Sequence, residues 1–297
     1  MGAKMSDLSK TPTATLFKQW RNQGDAASGQ AMAQRFSDWY YAITTCRLGD
    51  AHGRAPLHQA CLRFQQGILR VTSTAELNDW SHSLVLEEVK QAGGRISGGD
   101  FPNQFTSGRS PTELLKEVAA RIQPGEARIL AAAYDTGVPL AELTAEAEAN
   151  GGYPVAVLRA RHAVKRALRD HAGVAFTDLP DSPNLDLAPL PLYEAGRMAR
   201  EAEETSFEKW MLTDMGLCKD IAEFGVFAQA LRGGALRSLR VAAPVIQPLP
   251  VAEATAPVPK EAALPAKGAP IGCAYVLGLL GVFMLAASGF YLFFQDR

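Results

Sequence analysis

The chain has 297 residues, of which 47% are apolar, and its 30 basic and 31 acidic side chains give a formal net charge of −1. This composition is typical of a globular protein and argues against a disordered chain. Because the net charge is close to zero, it excludes global attraction to nucleic acid or anionic lipid, and any such affinity must be local.

The first predicted element is a helical block over residues 14–95, preceded by a polar segment, residues 1–13, that is expected to be disordered and lacks the apolar run of a secretory signal. Within the block, apolar residues recur at every third or fourth position, which is the helical period. These stripes are Met32, Phe36, Tyr40 and Ile43, then Leu57, Cys61, Phe64 and Ile68, then Leu77, Trp80 and Leu84.

A turn-rich linker over residues 96–111 separates this block from a second helical block over 112–172, which opens with Ser110-Pro111 in front of Glu113 as a predicted helix start. The second block reads as a helix, a turn at residues 136–139, a short helix, and then a basic helix after Gly151 and Gly152. This order predicts a helix-turn-helix, a fold whose last helix enters a DNA groove in known cases.

The basic helix carries the candidate DNA-binding residues. A helical projection of residues 155–171 places its apolar side chains on one arc and its basic side chains on the other. A solvated helix face is the alternative interpretation of such a pattern. The residues predicted to contact DNA are Arg159, Arg161, His162, Lys165, Arg166 and Arg169.

Two further linkers flank a third helical block. Residues 173–192 are rich in proline, and residues 193–234 form a helical segment with a regular apolar stripe that ends at Gly233-Gly234. The stripe consists of Leu217, Ile221, Phe224, Ala228 and Leu231. Residues 235–270 then contain many prolines and alanines, which is the composition of an extended tether.

The C-terminal segment, residues 271–294, has 24 residues without a charge. At 1.5 Å per residue a helix of this length reaches about 36 Å, which is enough to cross a bilayer. Only a short tail, residues 295–297, follows it, and the basic residues before it place the N-terminal body in the cytoplasm. We therefore predict a tail-anchored, single-pass protein of the bacterial cytoplasmic membrane.

Two segments of the second block match a known pattern. Residues 122–130 (IQPGEARIL) and 157–168 (VLRARHAVKRAL), with 140–143 (LAEL) between them, resemble the second conserved domain of extracytoplasmic-function sigma factors. Residues 16–21 (LFKQWR) of the first block are similar to the start of the polymerase-binding domain of that family. The resemblance implies promoter DNA and core RNA polymerase as partners.

One segment departs from that family. Residues 49–60 (GDAHGRAPLHQA) stand where sigma factors usually have an acidic helix that contacts polymerase, and the acidic signature is missing. This departure leaves open a second interpretation, in which a degenerate sigma-like body binds another protein and neither DNA nor polymerase.

The third block resembles the small helical domain of membrane-bound anti-sigma factors over residues 207–218 (FEKWMLTDMGLC). Trp210 and Asp214 stand at two of the positions of the zinc ligands of those proteins, so no zinc is expected. The resemblance implies that this block folds back over the first two and inhibits them. An ordinary core helix is the alternative.

Motifs for enzymatic chemistry, including Walker, GxGxxG, GxSxG and HExxH patterns, do not occur in the sequence, so we expect neither an enzyme nor a cofactor. Cys46, His52, His58 and Cys61 form the one local group of metal-ligand types, and we interpret them as structural because Cys61 lies in an apolar stripe. The predicted protein is all-α: a membrane-anchored sigma-like transcription regulator or, alternatively, a tail-anchored adaptor.

Overall fold

A computed structural model of the chain describes residues 8, 10–135, 137–138, 147, 151–177 and 179–240. These residues form helices and connecting turns and contain no β-strand. The prediction of an all-α fold is therefore confirmed for the described residues, which belong to one compact unit.

The helices are numbered here in chain order. The first three are α1 (Thr13–Gln23), α2 (Ala26–Gly67) and α3 (Thr74–Gln91). The next three are α4 (Pro111–Ala119), α5 (Pro124–Tyr134) and α6 (Tyr153–Ala172). The last three are α7 (Leu190–Ala195), α8 (Glu201–Met211) and α9 (Met215–Arg232). Short 3-10 turns cover Ile68–Arg70, Gln104–Thr106, Leu185–Leu187 and Arg237–Arg240.

Local sequence explains several helix ends. Asp25 accepts hydrogen bonds from the backbone N–H groups of Ala27 and Ser28 at the start of α2, and Ser110 accepts one at the start of α4. Such side-chain caps satisfy donors that have no partner inside the helix. The predicted start at Ser110-Pro111 is therefore confirmed.

The first hydrophobic core joins α1, α2 and α3 to α7, α8 and the first half of α9. The predicted apolar stripes point into this core, because Met32, Phe36, Tyr40, Ile43 and Leu77 are all almost fully buried. Leu57, Cys61 and Trp80 are only partly buried at its edge.

The second core joins α4, α5 and α6 to the second half of α9. Helix α9 thus supplies side chains to both cores, and the predicted stripe residues Ile221, Phe224, Ala228 and Leu231 are buried along its length. The third block is therefore not a separate satellite of the body; its last helix is a shared part of the interior.

Two segments that the sequence assigned to linkers carry structure. Within residues 173–192, the helix α7 begins at Leu190, which is buried. The expected tether also begins inside the body, because Ala235 and Leu236 are buried in the second core. The chain reaches that core through a turn at Gly234, whose φ of 86° favours glycine.

Several other predictions fall wholly or largely outside the described residues. They are the disordered segment 1–13, the short helix before α6, the tether 235–270, the membrane-spanning segment at 271–294 and the tail 295–297. Among the residues that the structure does describe, none of the helices is long and apolar enough to span a bilayer.

Candidate functional site

The candidate site is built on α6, which presents the predicted basic residues. The helix starts after Gly152, whose φ of 91° suits glycine, and has Pro154 in its first turn, where a missing N–H is harmless. It ends at Gly173 in the left-handed conformation, a common helix C-cap. The prediction of one continuous basic helix in this region is confirmed.

The structure divides the six predicted DNA-binding residues into two groups. Arg161 and Lys165, here called the inner basic pair, are buried, with side chains only 5% and 2% exposed. The others, here called the outer basic residues, are half-buried or exposed: Arg159, His162, Arg166 and Arg169.

The inner basic pair is held by two carboxylates of the third block. Arg161 donates from Nε and Nη2 to the two oxygens of Glu194 at 2.7 Å each, and from Nη2 to Asp220 at 2.6 Å. Lys165 donates from Nζ to the other oxygen of Asp220. Two cations of α6 are therefore paired with two acids, one from α7 and one from α9.

Neighbouring aromatic groups complete this network. The hydroxyl of Tyr134 donates to Glu194 at 2.6 Å. The guanidinium of Arg161 lies over the ring of Phe224 at 4.4 Å, and the ammonium of Lys165 lies over the ring of Phe176 at 4.6 Å. Both cations are thus enclosed by favourable partners, as a buried charge requires.

Burial lowers the pKa of Lys165 although Asp220 partly opposes this, whereas Asp220 and Arg161 show the opposite balance. Burial opposes the charge on Asp220, but Arg161 and Lys165 outweigh it and hold the pKa of that carboxyl below its usual value. Burial also opposes the charge on Arg161, and Asp220 and Glu194 together raise the pKa of the guanidinium well above its usual value. Pairing therefore outweighs burial at Asp220 and Arg161, and burial outweighs pairing at Lys165.

The outer basic residues have local contacts. Arg166 donates to the Nε2 atom of His162 at 2.9 Å and to the backbone carbonyl of Asp181. Arg169 donates to Asp170 at 2.7 Å. The pKa of His162 is lowered, chiefly by burial and then by the positive charge of Arg166. The charges of the inner basic pair add to this effect, and a hydrogen bond to the backbone of Asp181 opposes it.

Three outer basic residues, Arg159, His162 and Arg166, line an open cleft of about 480 Å³. Here it is called the α5–α6 cleft, because its opposite wall is the start of α5 with Arg121 and Gln123. Residues 181–183 border it. The sequence did not identify Arg121 or Gln123, because only the packing of α5 on α6 brings them to this surface.

The expectation that all six basic residues share one outward face is wrong for the inner basic pair. The projection assumed that α6 buries a single arc, whereas α6 packs against α4, α5 and α7, and pairs with Asp220 of α9. Glu194 and Asp220 could not be found from the sequence, since no local pattern brings them to α6. The spacing of Arg161 and Lys165, one helical turn apart, was the available signal that they share a face.

The cysteine and histidine group of the first block is spread over separate surroundings. Cys46 is fully buried, and His52 packs against the ring edge of Phe101 at 5.4 Å. Cys61 lies 3.9 Å from the Ser37 hydroxyl. Within the described part of the chain, no group of three or more His, Cys, Asp or Glu residues is arranged to hold a metal ion.

Comparison of the chain with protein-family models, with curated proteins and with solved structures finds no match.

Proposed function

We propose that this chain is a membrane-tethered, sigma-like DNA-binding regulator that its own third helical block keeps in an inhibited form. The observation that carries the proposal is the pairing of Arg161 and Lys165, on the predicted DNA-reading helix, with Glu194 and Asp220 of the third block. These acids occupy cations that DNA phosphates would otherwise attract.

The energetics of the network suit a releasable contact. Taking charges out of water costs several kcal/mol per ion, roughly, so a buried ion pair adds little net stability compared with apolar side chains of similar volume. Removing one partner, in contrast, leaves an uncompensated charge and costs about 3–5 kcal/mol. If Glu194 or Asp220 moved away from the inner basic pair, the two cations would therefore favour contact with water or with another anion.

The third block is also placed to hold the other blocks together. Arg232, at the end of α9, donates to the backbone carbonyls of Cys46 and Ile96 at 2.8 and 3.1 Å, and to that of Glu194. Because the same helix lies in both cores, movement of α9 would disturb the first and second blocks together. The predicted membrane segment would keep this body near the bilayer.

The proposal is tested by duplex DNA binding of the full-length protein in detergent, measured at several salt concentrations. Asp220→Asn should tighten binding, because it weakens the hold on Lys165. Adding Arg159→Glu and Arg166→Glu should abolish the gain and flatten the salt dependence. The control is Asp79→Asn, which removes an exposed ion pair with Lys209 far from α6 in sequence and should leave DNA binding unchanged.

If neither Asp220→Asn nor the double charge reversal alters DNA binding, the regulatory proposal fails. Circular dichroism of each variant separates this outcome from unfolding. Capture of core RNA polymerase by the Asp220→Asn protein would further support the sigma-like interpretation.

The second candidate function is a tail-anchored adaptor that binds another protein. It is favoured by the charge balance of the α5–α6 cleft, where Arg121, Arg159 and Arg166 face three acids, Glu126, Asp170 and Asp181. A surface with equal numbers of both signs attracts DNA weakly. Crosslinking in cells that recovers a protein partner without chromatin or polymerase would favour the adaptor.

A further inference from the structure

We infer that the α5–α6 cleft is a binding site for a small ligand that bears a phosphate monoester group. The site is formed by Arg121 and Gln123, which lie in the turn directly before α5, and by Arg159, His162 and Arg166 on α6. This inference does not depend on DNA binding, although three of these residues were also predicted to contact DNA.

The shape of the cleft suits a small molecule. Its volume of about 480 Å³ is within the range of ligand pockets, and residues 181–183 border it. Ile122, Ala163 and Ala167 add apolar side chains to its lining. Arginines beside such an apolar surface are suited to a ligand with an anionic group on an uncharged body.

The donors of the cleft suit an oxyanion with several acceptor oxygens. A guanidinium presents a planar fork of N–H groups that matches phosphate oxygens, and the cleft has such forks on both walls. Gln123, which lies directly before α5, adds a side-chain amide to this lining. Phosphate can engage these donors from several directions at once.

The three acids of the cleft equal its three arginines in number, so recognition of a phosphate would depend on close hydrogen bonds and not on the net charge of the cleft. Asp170 is already paired with Arg169 at 2.7 Å, so its charge is offset from outside the cleft. Burial raises the pKa of Glu126, although a hydrogen bond from the backbone N–H of Gln123 partly opposes this and engages the carboxyl group. Asp181 is exposed to solvent, as are Arg159 and Arg166, so water screens these three charges alike.

His162 adds a way of recognising a dianion. Burial and the nearby cations oppose its protonation. A phosphate monoester, which carries nearly two negative charges at neutral pH, would reverse that field and favour the imidazolium. Binding should therefore be coupled to proton uptake by His162, whereas an uncharged ligand would leave its protonation unchanged.

The test is calorimetric titration of the full-length protein in detergent with AMP, with inorganic phosphate and with adenosine, which lacks the phosphate. AMP and phosphate should bind, and adenosine should not. Arg121→Gln and Arg166→Gln should each weaken AMP binding by about tenfold, the loss expected for one charge-assisted contact. Arg70→Gln, an exposed arginine outside the cleft lining, is the matched control and should bind as the wild type does.

A second readout follows His162 by NMR, and its pKa should rise when AMP is added. The inference is overturned if AMP does not bind at millimolar concentration, if adenosine binds equally well, or if the cleft variants and the control bind AMP alike. Binding of duplex DNA without any binding of AMP also overturns the phosphate-monoester site, while it supports the proposed regulator.

Discussion

Gln229 donates a hydrogen bond from its Nε2 atom to the backbone carbonyl of Leu48 at 2.8 Å, and so fixes α9 to the bend of α2. The bend is at Gly49, whose φ of 79° and ψ of 165° are not helical. The side chain of Gln229 thus supplies the carbonyl of Leu48 with a hydrogen-bond donor at the break in the helix. This contact joins the first block to the third.

Gly49→Ala should destabilise the protein by about 2–4 kcal/mol, because it adds left-handed strain and displaces a buried amide. A Cβ at this position would lie 1.9 Å from the Oε1 atom of Gln229. Gly24→Ala is the control, since Gly24 has a similar φ of 66° but no heavy atom within 4 Å of an added Cβ. Urea unfolding should show that the control lowers the free energy of unfolding by only about 1 kcal/mol. Equal losses for the two variants would contradict this account of the Gln229 contact.

The pairing of Lys165 with Asp220 should appear as strong energetic coupling. Lys165→Met and Asp220→Asn should each destabilise the protein by about 3 kcal/mol or more, while the double variant should lose about 1–3 kcal/mol less than the sum. The exposed pair Arg109 and Glu117, at 2.6 Å, is the control and should couple by less than about 1 kcal/mol. Chemical denaturation of both double-mutant cycles measures the difference, and additive losses at the buried pair would contradict the ion-pair network.

Glu208 should contribute to acid sensitivity. Its carboxylate accepts from Arg47 at 2.8 Å, His82 at 2.6 Å and Tyr193 at 2.7 Å, and these partners outweigh burial and lower its pKa. A lowered carboxyl pKa stabilises the fold above the unfolded-state pKa, and this stabilisation is lost as pH falls through the folded-state pKa.

Glu208→Gln should therefore lower the free energy of unfolding by about 3–5 kcal/mol at pH 7. As the pH falls below about 4.5, the free energy of unfolding should decrease less for the variant than for the wild type. Glu87→Gln, which alters an exposed pair with Arg63, should cost less than about 1 kcal/mol. Urea midpoints between pH 3 and pH 7 provide the measurement. If the urea midpoint of the Glu208 variant decreased below about pH 4.5 as much as that of the wild type, the buried carboxylate would not account for the acid sensitivity.

Asp38 should have the opposite pH dependence. Burial raises the pKa of this carboxyl to about 6, although a hydrogen bond from Gln34 and the charge of Lys219 partly oppose it. Since the folded state holds the proton more tightly, stability falls as pH rises from the unfolded-state pKa to about 6.

Asp38→Asn removes this titration. The stability of the variant relative to the wild type should therefore increase from pH 4 to pH 7 and then remain constant. Thermal unfolding across that range measures the trend, and a difference between the two proteins that does not vary with pH would show that Asp38 titrates normally.

The sequence by itself determined the helical class and much of the interior of the described body. The period of Phe36, Tyr40 and Ile43 in α2 and of Ile221, Phe224 and Leu231 in α9 identified their buried faces, because a helix repeats its side-chain directions every 3.6 residues. The basic helix and the cap at Ser110 were likewise local features. The prediction of a membrane segment at 271–294 also rests on local composition and stays a prediction.

Only the tertiary structure decided which basic side chains of α6 reach solvent. Arg161 and Arg166 are chemically alike on one helix, yet one is buried against Glu194 and the other is exposed beside Asp181. The periodicity of a sequence identifies the faces of a helix, but it does not show how many neighbouring helices pack against those faces. The pairing of α6 with α7 and α9 joins segments 33 to 59 positions apart, and contacts over such separations follow from chain packing, which no local pattern encodes.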